Sequence, residues 1–269
     1  MTRSILLACV VSAIVWVSTP ISVANARKEA PDVDVALVLA ADISGSMTPQ
    51  EVRLQRIAYV TALRDPRVVS AIQLGRHGRI AVAYMEWSRH SVQIPVMPFR
   101  VVGSLEEAED AAARLMTWAN SDAAMTRRRG GGGTGIGSAL AYAHGLLAGS
   151  SFQDVPWVID ISGDGINNDG APPDLYRDRL VSSGAVVNGL PIASDLSPTE
   201  ATSLEAYYAR CVIGGIGAFQ LLVDDAARLA ETLTFKLVME IAGIAPPDFA
   251  EARVVLASNS TQEVPQARC

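Results

Sequence analysis

Two hydrophobic rhythms alternate along this chain. Val33 to Ala41 is a continuous apolar run of β-branched and aliphatic residues, bounded by Pro31 and Gly45, and reads as a buried strand. Thr48-Pro49-Gln50-Glu51 then starts a helix, with Thr48 as N-cap, Pro49 at the first helical position and Glu51 closing a capping box. Arg64-Asp65-Pro66 stops it. Gly78 opens a second strand, Arg79 to Trp87. Ser91 to Met97 alternates Val92, Ile94 and Val96 and is broken by Pro95 and Pro98, which fits a short edge strand. Ser104-Leu105-Glu106-Glu107 forms a second capping box, and Leu105, Ala108, Ala112, Leu115 and Ala119 give its helix one apolar face.

The second half repeats the theme. Gly130 to Gly133 and Thr134-Gly135 open a helix with Ile136, Leu140, Ala143 and Leu147 in register. Val155 to Ser162 is another buried strand, running into Gly163-Asp164-Gly165. Pro172-Pro173 opens a helix to about Ser183, Ala185 to Leu190 is a strand, and Ser197-Pro198-Thr199-Glu200 is a third capping box, for a helix to about Arg210. Gly217 to Val223 is the last strand. Asp224 caps the last helix, with Ala226, Leu229, Leu233, Leu237 and Ile241 inward and Gly243 as its stop. Strands alternating with helices predict a Rossmann-like, doubly wound α/β fold. Its central sheet is mostly parallel, with about six strands, one short antiparallel edge strand and helices on both faces.

The N-terminus has a different pattern. Arg3, the apolar run Ile5 to Val17, and Ala24-Asn25-Ala26 have the layout of a cleaved signal peptide, residues 1–26. A short lead, 27–31, precedes one domain, 32–245, because no long linker divides it. Pro246-Pro247 starts a tail, 246–269, whose structure the pattern does not predict. No later segment can span a bilayer. The expectation is therefore an exported protein, periplasmic or secreted. Net charge is −6 and pI near 5.1, and loss of Arg3 makes the balance more negative. Such a chain is a poor nucleic-acid binder. Cys211 and Cys269 could pair in an oxidising compartment, or Cys211 could be a buried free thiol.

Candidate chemistry comes from three separated segments. Asp42-Ile43-Ser44-Gly45-Ser46 places one carboxylate and two hydroxyls on a strand-to-helix turn. Thr134 adds a hydroxyl at a helix start, and Asp164 a carboxylate after another strand. In a parallel sheet these ends can converge on one rim. The set is all hard oxygen, suited to Mg²⁺ or Mn²⁺ with at least one position left open. Asp42-Ile43-Ser44-Gly45-Ser46 matches the DxSxS motif of the von Willebrand factor type A (vWA) domain. Gly133 to Leu140 looks like that family's threonine loop. Gly163-Asp164-Gly165 resembles its second aspartate motif, with Gly163 where the family usually has Thr. More narrowly, Glu86-Trp87-Ser88, Ile159 to Gly165, Val187 to Ile192, and Tyr207-Tyr208 with Cys211 resemble an uncharacterised exported bacterial subfamily with no established activity.

The resemblance implies a metal-ion-dependent adhesion site (MIDAS). Ser44, Ser46 and Thr134 would supply hydroxyl ligands, with Asp42 and Asp164 balancing charge, around Mg²⁺ (or Mn²⁺ or Ca²⁺). The vacant position would take a carboxylate from a protein or other ligand. The expectation is a binding module and not an enzyme. The alternatives are a metal-assisted hydrolase with Asp160 or Glu86 as base, and a structural envelope protein whose metal only stabilises the fold. Other residues read more plainly. Asp160 and Glu86 are first of all structural, and Asn167, Asn168 and Asp169 form a turn. Arg127, Arg128 and Arg129 are a solvated run, or in a sharper reading a positive field favouring an acidic ligand. Gly130, Gly132 and Gly135 formally match GxGxxG, but no strand directly precedes them and no Lys-Ser or Lys-Thr follows. His77, His90 and His144 lack zinc-type spacing, and no GxSxG elbow is present.

Overall fold

A computed structural model describes residues 31–127, 132–243 and 254–256, and Cys269. The leader, most of the arginine and glycine run, and most of the tail lie outside the described residues. Seven strands form one sheet in the order β3-β2-β1-β4-β5-β6-β7. They are β1 (Ala36–Asp42), β2 (Ile80–Trp87), β3 (Gln93–Val102), β4 (Trp157–Gly163), β5 (Val186–Pro191), β6 (Phe219–Leu221) and β7 (Val254–Leu256). Strands β1, β2, β4, β5 and β6 are parallel, and β3 is antiparallel at one edge, as the pattern predicts. Two features differ. β3 is ten residues long, because an edge strand tolerates Pro95 and Pro98 without losing ladder bonds it needs. The tail supplies β7, antiparallel on β6 at the other edge.

The helices are α1 (Pro49–Leu63), α2 (Pro66–Gln73), α3 (Leu105–Ala119), α4 (Asp122–Arg127), α5 (Ile136–Ala148), α6 (Pro173–Ser182), α7 (Pro198–Tyr207) and α8 (Leu229–Ala242). Alternation along β1 splits the core in two. Val35, Leu37, Leu39 and Ala41 pack with α1, α2, α3 and α8, while Ala36, Val38 and Ala40 pack with α5, α6 and α7. Burial on both faces is why β1 reads as an unbroken apolar run. The Thr48 and Ser197 capping boxes are complete. At Ser104 only half of one forms: its hydroxyl accepts from Glu107 N, but the Glu107 carboxylate reaches back to Gly103 N. Asp65-Pro66 ends α1 and also starts α2, with Asp65 as N-cap. At the last helix it is Asp225, not Asp224, that caps, through a 3₁₀ turn at Ala226–Arg228. Leu105 is exposed, and Ala226 and Ile241 are only partly buried.

Candidate metal centre

β1 and β4 are parallel neighbours at the centre of the sheet. The chain goes from β1 to β2 on one side and to β4 on the other, so their C-terminal ends bound the crevice where open α/β sheets bind ligands. β1 ends on Asp42, and the turn into α1 carries Ser44 and Ser46. Asp164 follows β4 directly. The turn is pinned from α1, where Gln55 Nε2 donates to the Asp42 carbonyl at 2.7 Å and Gln55 Oε1 accepts from Ser162 Oγ at 2.9 Å.

Four of the five expected residues form one hydrogen-bonded chain. Ser44 N–H donates to Asp42 Oδ1 at 2.6 Å, and Ser44 Oγ to Asp42 Oδ2 at 3.0 Å. The Ser44 and Ser46 hydroxyls lie 3.0 Å apart, and Ser46 Oγ donates to Asp164 Oδ1 at 2.6 Å. Thr134 borders the same spot. A Cβ placed on Gly165 would lie 3.5 Å from Thr134 Oγ1 and 3.9 Å from Ser46 Oγ. Asp42 and Ser44 are fully buried and Thr134 nearly so, whereas Ser46 and Asp164 open to solvent.

Charge is out of balance here. Burial, reinforced by Asp164, holds the Asp42 carboxyl well above its usual range, against the Ser44 hydrogen bonds. Burial also raises Asp164, with Glu51 and Asp195 adding to it and the Ser46 hydroxyl opposing. Among the described residues, no lysine or arginine pairs with either carboxylate. Two carboxylates and three hydroxyls on one small opening fit a hard divalent cation. Among the described residues, no three His, Cys, Asp or Glu side chains converge as a metal site, so the hydroxyls are essential to the set.

The residues considered as catalytic bases are engaged elsewhere. Glu86 is buried and gripped by Arg56, with Nε at 2.6 Å and Nη2 at 2.8 Å. Asp160 is buried against Lys236 Nζ at 2.6 Å. Each is tied to a basic side chain inside the core. Asn168 and Asp169 are not merely a turn. Asn168 Oδ1 accepts from Thr134 N at 2.7 Å, and the Asn168 and Asp169 backbone N–H groups donate to the Thr134 carbonyl at 2.9 and 3.3 Å. Asp169 also takes the His90 backbone N–H at 3.0 Å and holds its ring at 2.9 Å. These contacts with His90 keep its own carboxyl below the usual range. Thr134 is therefore clamped from two sides. His77 and His144 lie on other parts of the fold: His77 N–H bonds Asp34 and His144 packs edge-on against Trp157. Arg128 and Arg129 are outside the described residues, and Arg127 ends α4.

A family model described as "Protein of unknown function (DUF1194)" matches residues 32–245. The chain belongs to this family. Among solved structures, the DUF1194 chain is similar to proximal thread matrix protein 1 from the mussel byssus, in a form with a zinc-occupied MIDAS motif. The identity is 21%, the TM-score 0.52, and coverage is 78% of this chain and 48% of that one. It is also similar to the pilus adhesin SpaC from Lactobacillus rhamnosus GG, at 14% identity and TM-score 0.51, covering 80% and 30%. A von Willebrand factor type A protein from Catenulispora acidiphila aligns at 17% identity and TM-score 0.48, covering 78% and 43%. The chain thus spans about half, or less, of each of these proteins. No curated protein matches it. The chain shares its fold with the mussel protein and with SpaC.

The DUF1194 chain departs from the vWA pattern at Gly163, and the packing shows why. A Cβ there would lie 2.8 Å from Tyr208 Oη and 2.9 Å from Asp42 Oδ2, closer than real Cβ atoms come. Gln55 and Asn168 brace the backbone at Asp42 and Thr134, a role that motif reading misses. Gln55 had a signal: a polar residue on the buried face of an amphipathic helix.

Proposed function

We propose that this protein is an exported vWA-like binding module. Asp42, Ser44, Ser46, Thr134 and Asp164 hold a divalent cation, Mg²⁺ in the first instance and Mn²⁺ or Ca²⁺ otherwise. An acidic group on a partner or ligand completes the coordination. The observation that carries this reading is the carboxylate pair, buried Asp42 and the more open Asp164, set beside three hydroxyls with no lysine or arginine paired to either among the described residues. A bound cation would supply that charge and attract an incoming carboxylate. The protein's own part is to orient: Gln55 fixes the Asp42 backbone, Asn168 fixes Thr134, and the exposed Ile166 beside the opening gives an apolar contact for whatever docks. Zinc in the MIDAS motif of the mussel protein supports a divalent cation.

The leader-like N-terminus supports export. So does the Cys211–Cys269 disulfide, since such bonds persist in oxidising compartments. Among the described residues, no helix is long and apolar enough to cross a membrane.

The open coordination position is testable with Mn²⁺ as probe. Water-proton relaxation of the Mn²⁺-loaded protein should report fast-exchanging water on the ion, and titrated acetate should displace part of that signal. A Mn²⁺ complex with no exchangeable water and no response to acetate would leave the adhesion-site reading without support.

A further inference from the structure

Tyr207, Tyr208 and Cys211 sit together where α7 runs into a π-helical turn, Tyr208–Val212. Such wide turns re-aim side chains and gather at functional sites. Here Tyr208 is driven inward between β4 and β5. Two glycines make the slot. A Cβ on Gly189 of β5 would lie 2.9 Å from the Tyr208 ring, and one on Gly163 of β4 would lie 2.8 Å from its hydroxyl. The whole side chain is buried, yet the hydroxyl has no hydrogen-bond partner among the described residues. A buried hydroxyl left unpaired is costly, so its retention calls for a reason.

The reason lies at the end of the slot. Asp42 Oδ2 is 2.9 Å from the same empty Cβ position, so phenol oxygen and carboxylate oxygen flank one point. The phenol O–H can act as a donor into that gap. The segment presenting it is tied down twice. Cys211 is disulfide-bonded to Cys269, and Tyr207 Oη donates to the Cys269 carbonyl at 3.3 Å while accepting from Asn167 N at 3.2 Å.

We infer that Tyr208 is a positioning residue for the cation site: its hydroxyl donates to the inner oxygen of Asp42 in the cation-loaded protein, and the disulfide-closed π turn holds it there. This rests on the cation-site reading above. Groups behind a metal ligand set its orientation and charge, and their loss typically weakens metal affinity by roughly 10–100-fold.

The test compares wild type with Tyr208→Phe in calorimetric Mg²⁺ titrations and in melts without metal. The expected result is a loss of Mg²⁺ affinity of roughly tenfold with a metal-free melting temperature at or above that of wild type, because the deleted hydroxyl has no partner to lose. Replacing both cysteines by Ser should also weaken Mg²⁺ binding. Adding Tyr208→Phe to that variant should then cost little more, since the two changes act through one group. Equal Mg²⁺ affinity in wild type and Tyr208→Phe overturns the inference and leaves the cation site standing. A Tyr208→Phe protein that melts lower but binds equally well marks the ring as packing only and overturns it too. Absence of Mg²⁺ binding by wild type overturns both readings.

Discussion

Asp42 with Asp164, and Asp160 with Glu240, are two acidic pairs in the same sandwich of sheet and helices, and their surroundings could hardly differ more. Asp160 points from β4 toward α8, where Lys236 is fully buried between the two acids, donating to Asp160 at 2.6 Å and also to Glu240. Asn188 Nδ2 adds a hydrogen bond to Glu240 at 2.9 Å. Asp42 and Asp164 have hydroxyls, backbone N–H groups and an opening instead. A buried acid pair with its own lysine is closed to outside partners and fastens α8 to the sheet. A pair that meets no lysine or arginine among the described residues and faces an opening fits the cation site proposed above. Glu86, paired with Arg56, belongs to the first kind.

The contrast breaks most visibly at Lys236. Lys236→Met leaves two buried carboxylates facing each other and should destabilise the fold by about 3–5 kcal/mol in urea unfolding. Asp42→Asn should act in the opposite sense on metal-free protein, raising stability by on the order of 1 kcal/mol, because it removes a buried charge that Asp164 repels more than the Ser44 hydrogen bonds repay. If both variants lose stability alike, the two pairs are not different in kind. Mg²⁺ at a hundred times its Kd should stabilise wild type by about 2.7 kcal/mol and leave Asp42→Asn unmoved.

pH sharpens the same comparison. Even with Lys236 beside it, burial and then Asp160 push Glu240 up to about 7 from 4.5. The folded state then binds more protons than the unfolded chain between those values, so metal-free stability should fall as pH rises from 4.5 toward 7. Glu240→Gln should flatten that slope, measured as denaturation midpoint against pH. The smallest effect is expected at Asn168. Asn168→Ala removes one hydrogen bond to the Thr134 backbone and should weaken Mg²⁺ binding by about 1 kcal/mol without lowering the melting temperature comparably.

What the sequence shows of all this follows from which signals are local. Thr48 and Ser197 with their glutamates announce helix starts, and the Val33–Ala41 run announces a strand buried on both faces, because capping and pleat periodicity are written within a few residues. Asp42-Ile43-Ser44-Gly45-Ser46 is legible for the same reason. Lys236 is not. Its partners, Asp160 and Glu240, meet it only after β4 and α8 pack, and a lysine on an apolar helix face gives no hint of which acid it answers. The pairing of Cys211 with Cys269, left open by spacing, depends on the tail returning to the π turn. Asp225 displaces Asp224 as cap because a 3₁₀ turn precedes α8, a one-residue distinction that pattern reading cannot make.

We propose that Asp42 and Asp164, which pair with no lysine or arginine among the described residues, take up a cation from solution. Calorimetric titration of Mg²⁺ into metal-free wild type and Asp42→Ala tests it directly. The account predicts saturable single-site binding by wild type and none by Asp42→Ala. No binding by wild type, or equal binding by the two, would contradict it.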